Sequence, residues 1–226
     1  IEEYDTAQVT MNLTDISVTP LHLGYEVARE EAEKLGARVT GSEIVGLVPL
    51  EAMLDAGRYF LEKQHEGLAG KGRQAKTTGL PERELIEIAI RSMGLSDVAP
   101  FRPEEKIIEY MVADRSVDLT GMTLRDFADE LSTDSPAPGG GSAAALMGSL
   151  AAALDSMVAN LTVKNRRHRE HWEDMRRIAP AAQEVKKQLV KAIDDDTRAF
   201  NRMVAAMKAG EGEQEAIKGA AEVPMS

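Results

Sequence analysis

The stretch Ser135-Pro136-Ala137-Pro138-Gly139-Gly140-Gly141-Ser142 decides the reading of this chain, because an alanine-rich run from Ala143 to Val163 follows it without a break. Two prolines and three glycines cannot continue a helix, whereas the alanines with Leu146, Met147, Leu150, Leu154 and Met157 form one readily. A loop therefore feeds a helix N-terminus. Ser142 is placed to cap its first turn, and the glycines let a ligand come close to the backbone, which suits an anionic or carbonyl-bearing group. The plainer reading is a tight turn between packed helices, with glycine supplying positive φ.

Within the run, Ala145, Gly148, Ala152 and Ala159 recur at helical spacing and offer a small-residue face for close packing. Twenty mostly apolar residues are long enough for a bilayer. Asp155 and Asn160 interrupt them and no aromatic belt flanks them, so the expectation is a buried helix of a water-soluble bundle and no membrane span.

The chain has 226 residues, 43% of them hydrophobic, enough for a core and one or two domains. Its net charge of -11 argues against nucleic acid as a partner, since phosphate neutralisation needs a basic surplus. No cysteine is present, which excludes disulfides and thiolate chemistry and fits a reducing, cytoplasmic setting. Ile1 at the start and Glu222-Val223-Pro224-Met225-Ser226 at the end read as cut points in a longer polypeptide.

Residues 8–13 alternate as a strand does, and Ile44 to Val48 is a short apolar strand. Thr19 and Pro20 open a helix through about Leu35, with Leu23 and Val27 inward and Glu26, Arg29, Glu30 and Glu33 outward; Gly36 stops it. Pro49, Pro81 and Pro103 open three more. Strand, helix, strand, helix is an α/β pattern, so the fold class expected is α+β: a partial α/β subdomain over 1–113, a linker over 114–121, and an incomplete all-α up-and-down bundle over 122–226. The stretch from His65 to Leu80 lacks periodicity and reads as a mobile loop. Its Gly70-Lys71-Gly72 lacks the spacing of a phosphate loop. Thr123 with Asp126 reads as a capping arrangement.

A helix expected from Pro180 to about Lys208 carries an apolar stripe at Ala182, Val185, Leu189, Ile193, position 196, Phe200, Met203 and Met207. Position 196 is Asp. A carboxylate in such a stripe is costly unless paired, hydrogen-bonded or functional, and there it is able to exchange a proton. Asp194 and Asp195 point elsewhere, Asp194 toward Arg198 one turn on. The plainer reading has Asp196 bonding a neighbouring cap or lying at the stripe's edge. The cluster Lys164, Arg166, Arg167, His168 and Arg169 complements a helix C-terminus, or else docks a polyanionic tail. His168 and His171 share a helix face with no third ligand at a convincing spacing, so no metal is expected.

The glycine loop, the segment Ser156-Met157-Val158-Ala159-Asn160-Leu161-Thr162, and Asp196-Thr197-Arg198-Ala199-Phe200 together resemble the cyclodeaminase domain of the formimidoyltransferase-cyclodeaminase family. Met11-Asn12-Leu13-Thr14-Asp15, Val39 to Pro49 and Pro100 to Tyr110 resemble the C-terminal subdomain of its transferase half. The resemblance covers nearly the whole chain. It implies folate-linked histidine breakdown, in which a formimino group passes to tetrahydrofolate and the adduct closes to 5,10-methenyltetrahydrofolate with loss of ammonia. It also implies an all-helical cyclodeaminase domain that dimerises to build its site, and a catalytic aspartate falling on Asp196. Tetrahydrofolate, polyglutamylated, is then the carrier substrate, with no metal. From charge and position, Pro138, Gly139, Gly140, Gly141 and Ser142 border the pterin or formimino group, and Lys164, Arg166 and Arg167 hold glutamate carboxylates. The transferase's catalytic histidine belongs to a subdomain this sequence lacks, so His22 and His65 take no such role, and Asp155 matches no catalytic position. The rivals are a methenyltetrahydrofolate cyclohydrolase-like activity and a non-catalytic assembly module.

Overall fold

The computed structural model describes residues 7–69, 78–113, 117–209 and Lys218. Helix makes up 68% of it, and among the described residues there is no strand and no sheet, so the fold is all-α and the expected α/β subdomain is not found. The alternating segment 8–13 is extended but unladdered; Met11 and Leu13 lie against Gly24 instead. At Ile44 to Val48 only Val48 pairs, in a single parallel bridge with Ile107, while Val45 is 83% exposed. Alternation marks faces, but a strand exists only where a neighbour takes up its backbone hydrogen bonds.

The chain divides into two compact units, residues 1–75 with 81–113 and residues 76–80 with 114–226. The first holds α1 (Leu21–Lys34), α2 (Leu50–Ala69), α3 (Glu82–Met93), α4 (Pro103–Lys106) and α5 (Ile108–Met111). Met53, Ala56, Ile86, Ala89 and Met93 form the α2–α3 core. The two helices approach so closely that a Cβ on Gly57 would stand 2.2 Å from the Leu85 carbonyl oxygen. Pro81 precedes α3, as the sequence leads one to expect, and Gly94 ends it in the left-handed region, φ 61°. The single helix expected from Pro103 splits because Ile107 extends to bridge Val48. The Glu109 carboxylate then accepts the Leu50 N–H at 2.7 Å and caps α2.

Helix α1 departs from the sequence expectation at three positions, while Glu30 and Glu33 are outward as expected. Leu23 and Val27 are exposed, and Glu26, expected outward, is 6% exposed. Its burial is tolerated because Arg29 lies 3.1 Å away and Lys63 of α2 donates to the same carboxylate oxygen. His22 stacks on Tyr59 with ring centroids 4.3 Å apart. His65 to Leu68, expected as loop, completes α2, and 70–77 lie outside the described residues.

The second unit holds α6 (Leu124–Leu131), α7 (Gly140–Lys164), a 3₁₀ turn (Arg166–His171) and α8 (Trp172–Ala209). Thr123 caps α6: its Oγ1 accepts the Asp126 N–H at 3.1 Å and donates to the Asp126 carboxylate at 2.7 Å. Helix α8 begins eight residues before Pro180 and runs through it, so that proline is not a helix start. Helices α7 and α8 are antiparallel, with Ser142 beside Asp196, Gly148 beside Leu189 and Ser156 beside Gln183.

Their seam is built from small residues. Ser142, Ala145, Ser149, Ala152, Ser156, Ala159 and Val163 are the buried positions of α7, in alternating steps of three and four. The larger apolar side chains, Met147 (66% exposed), Leu150, Leu154, Met157, Val158 and Leu161, face outward. The helix expected to be buried is therefore buried on one face. It is also long and apolar enough to cross a membrane by length and composition alone, with a third of the relevant window buried.

Candidate functional site: the start of α7 against Asp196

Pro138 is buried, Gly139 is the N-cap residue and Gly140 opens α7. Ser142 thus lies inside the first turn rather than at the cap, and it is fully buried. A helix start leaves its first N–H groups without intrahelical acceptors, and these favour negative charge. Here the negative charge is the chain's own. The Ser142 N–H donates to Asp196 Oδ2 at 2.9 Å, and Ser142 Oγ lies 3.2 Å from the same oxygen.

Gly141 makes that approach possible. A Cβ at this position would fall 2.1 Å from Asp196 Oδ1, an overlap that only the absence of a side chain avoids. Asp196 itself is half-buried at the α7–α8 seam, one carboxylate edge fixed by Ser142. Stripe and glycine loop, two separate features of the sequence, meet at this carboxylate.

Ser142 Oγ has two further neighbours, the Ile193 carbonyl at 2.8 Å and Thr197 Oγ1 at 3.2 Å. A hydroxyl carries one proton and can accept at the same time. It can donate to Asp196 when that group is a carboxylate, or turn its proton to Ile193 and accept when Asp196 is protonated. The surroundings therefore accommodate both protonation states without rearranging heavy atoms, which is what a group that takes up and then releases a proton requires.

Thr197 and Asp194 were not singled out by the sequence as site residues. Both are more buried than Asp196. Asp194 Oδ1 accepts the Leu119 N–H at 2.8 Å, its Oδ2 accepts Thr120 Oγ1 at 3.0 Å, and Arg198 stands 3.8 Å away, the pairing expected one turn on. Arg198 also reaches Asp195 at 3.0 Å and the Val117 carbonyl at 2.9 Å. This network ties residues 117–120 to α8 and seats Leu119 in a cluster with Phe127, Ala145 and Ile193. The stretch expected as a linker is in this part packed. The signal for Thr197 was its position four residues beyond Ile193; for Asp194 the sequence showed only the Arg198 spacing.

Lys164, Arg166 and Arg167 are exposed, at the opposite end of α7. Over 25 residues at 1.5 Å rise, about 36 Å separates them from the glycine loop along the helix axis. The structure does not bring them to Asp196 within one chain. Asp155 is exposed, on the outward face. His171 Nε2 lies 3.6 Å from Glu170, and no group of three or more His, Asp or Glu among the described residues is arranged to hold a metal ion.

Residues 1–113 match a family model described as the formiminotransferase domain, and residues 123–226 one described as formiminotransferase-cyclodeaminase. The formimidoyltransferase-cyclodeaminase of Rattus norvegicus is 42% identical over 211 residues, covering 92% of this chain and 37% of that protein. Its counterpart in Mus musculus is 41% identical over the same shares. A methenyltetrahydrofolate cyclohydrolase of Methylorubrum extorquens is 35% identical over 115 residues, 46% of this chain and 55% of that protein. The chain thus spans little more than a third of the length of its rodent relatives.

Proposed function

The chain belongs to the formiminotransferase-cyclodeaminase family, and from that premise we propose that its α7–α8 site closes 5-formimidoyltetrahydrofolate to 5,10-methenyltetrahydrofolate with release of ammonia, in histidine breakdown in the cytoplasm. The observation that carries the reading is the Asp196 carboxylate fixed by Ser142 at the mouth of the glycine loop. In the reaction the folate N10 attacks the formimino carbon and loses its proton. The amine left on that carbon must gain a proton before its C–N bond breaks. Asp196 takes the first proton and gives it to the departing nitrogen; a second proton, from solvent, completes ammonia, and the folate leaves as the methenyl cation. One carboxyl group serves both transfers.

Pro138 and Gly139 to Gly141 border the reacting end, with Ser142 behind them as support for Asp196. Lys164, Arg166 and Arg167 are proposed to hold glutamate carboxylates of the folate tail. Since about 36 Å of helix separates them from Asp196, a short-tailed folate can use both only if a second copy supplies one of the two. The outward apolar face of α7 supports such a homo-oligomer.

Asp196→Asn should lower ammonia release from 5-formimidoyltetrahydrofolate by about 10²–10⁴-fold, the worth of a positioned acid–base group. Helix content should stay as in the parent. Turnover retained by a folded Asp196→Asn protein would remove the assignment. The cyclohydrolase relative supports a second reading, hydrolysis of the methenyl group. Product analysis separates the two: ammonia with rising methenyl absorbance for the first, loss of methenyl absorbance without ammonia for the second.

A further inference from the structure

Helix α8 has a proline in its interior, Pro180. Proline has no N–H, so the carbonyl four residues earlier, that of Arg176, loses the donor a helix would supply. A donor comes from far away in the sequence. Thr78 Oγ1 lies 3.5 Å from the Arg176 carbonyl oxygen, a long bond, and the better bond beside it anchors the segment: the Thr78 N–H donates to Asn160 Oδ1 of α7 at 3.1 Å. Asn160 is held in turn by donating to the Ser156 carbonyl at 2.9 Å, and Ser156 Oγ faces the Gly79 carbonyl at 3.4 Å.

Gly79 fits nothing larger. Its φ is +60°, and a Cβ there would sit 2.5 Å from the Ala179 carbonyl carbon, next to Pro180. Thr78 is buried. Residues 78–80 therefore lie between α7 and α8 with their backbone donor paired, their glycine pressed on α8 at its proline, and a hydroxyl on the carbonyl that the proline orphans.

We propose that residues 78–80 are a latch of the helical unit: they close the α7–α8 seam at the Pro180 interruption, and their withdrawal loosens α8 there. The helical unit is then discontinuous in sequence, since these residues lie within 1–113, the stretch matching the formiminotransferase domain, rather than within 123–226. The inference is independent of the proposed chemistry at Asp196.

The chain's one tryptophan reports on this unit. Trp172 is buried at the start of α8, its Nε1 donating to the Thr162 carbonyl at 3.1 Å. Denaturant unfolding of the whole chain, followed by Trp172 fluorescence, is run as a double-mutant cycle on Thr78→Val and Pro180→Ala. Alanine at 180 restores the N–H to Arg176, so Thr78→Val should lower the midpoint in the parent and lower it by about a third as much or less beside Pro180→Ala. An equal shift in both backgrounds, or none in the parent, overturns the proposal.

Should Pro180→Ala fail to fold, Gly79→Ala is set against Gly67→Ala in α2, where a Cβ meets nothing within 4 Å. The first should lower the Trp172 midpoint and the second leave it in place. Identical midpoints for the two overturn the latch as surely as a failed cycle does.

Discussion

A single missing methyl sets the position of Asp196. Gly141→Ala puts a Cβ where Asp196 Oδ1 now lies, so the carboxylate must swing off Ser142. On the proposed chemistry, ammonia release from 5-formimidoyltetrahydrofolate should then fall by about 10²-fold, the penalty for misplacing an acid–base group by an ångström. His22 in the other unit shows burial acting on a base. Stacked on Tyr59 and partly withdrawn from water, its imidazole is held below the ordinary 6.5, with the Asp55 carboxylate opposing. The unfolded chain then binds the proton more readily, so this group's contribution is present above pH 6.5 and is lost as the pH falls below it. Hydrogen-exchange protection of α1 and α2 should decline with acidification from about pH 6.5. His22→Gln should flatten that decline, and an unchanged slope would exonerate His22. Of these residues, Asp196 was legible in the sequence because a charge interrupts an apolar period. The His22 stack was not, because it joins two helices whose relative register no local pattern encodes.

Seams rather than surfaces fix the elements. Along α7 the inward rank is serine and alanine from Ser142 to Ala159, so the backbones of α7 and α8 lie close; a Cβ on Gly148 would stand 3.0 Å from Leu189 Cδ1, closer than ordinary contact. Asp194 is the polar counterpart of this seam. Asp194→Ala leaves the Leu119 N–H without its acceptor in buried surroundings and takes a carboxylate from Arg198, and it should cost about 3 kcal/mol, read as a lower Trp172 unfolding midpoint. The period of three and four in α7 was visible in the sequence, and so was the small-residue face. That face meets α8, as its small residues led one to expect; what could not be seen was that the face bearing Met147, Leu150 and Leu154 stays outward, since both faces are apolar and their periods are the same.

At the scale of the molecule, the helices were placed by their prolines and glycines. Pro20 and Pro81 stand at helix starts as expected, whereas Pro180 does not, since Thr78 compensates for the bond it removes. The strands failed for a different reason: residues 8–13 have a strand's alternation without a ladder partner among the described residues, so extended backbone stays unpaired. If α7 pairs with a second copy through its outward face, Leu154→Lys should shift sedimentation toward the single chain, and an unchanged distribution would exclude that face. The α7–α8 seam also predicts how lineages diverge. From Ser142 to Ala159 the inner rank acts as a gasket at most one methyl or hydroxyl thick and should drift only among glycine, alanine and serine, while the outer rank can trade leucine, methionine and isoleucine freely. Ancestry would therefore be recorded on one side of a single helix and nearly erased on the other.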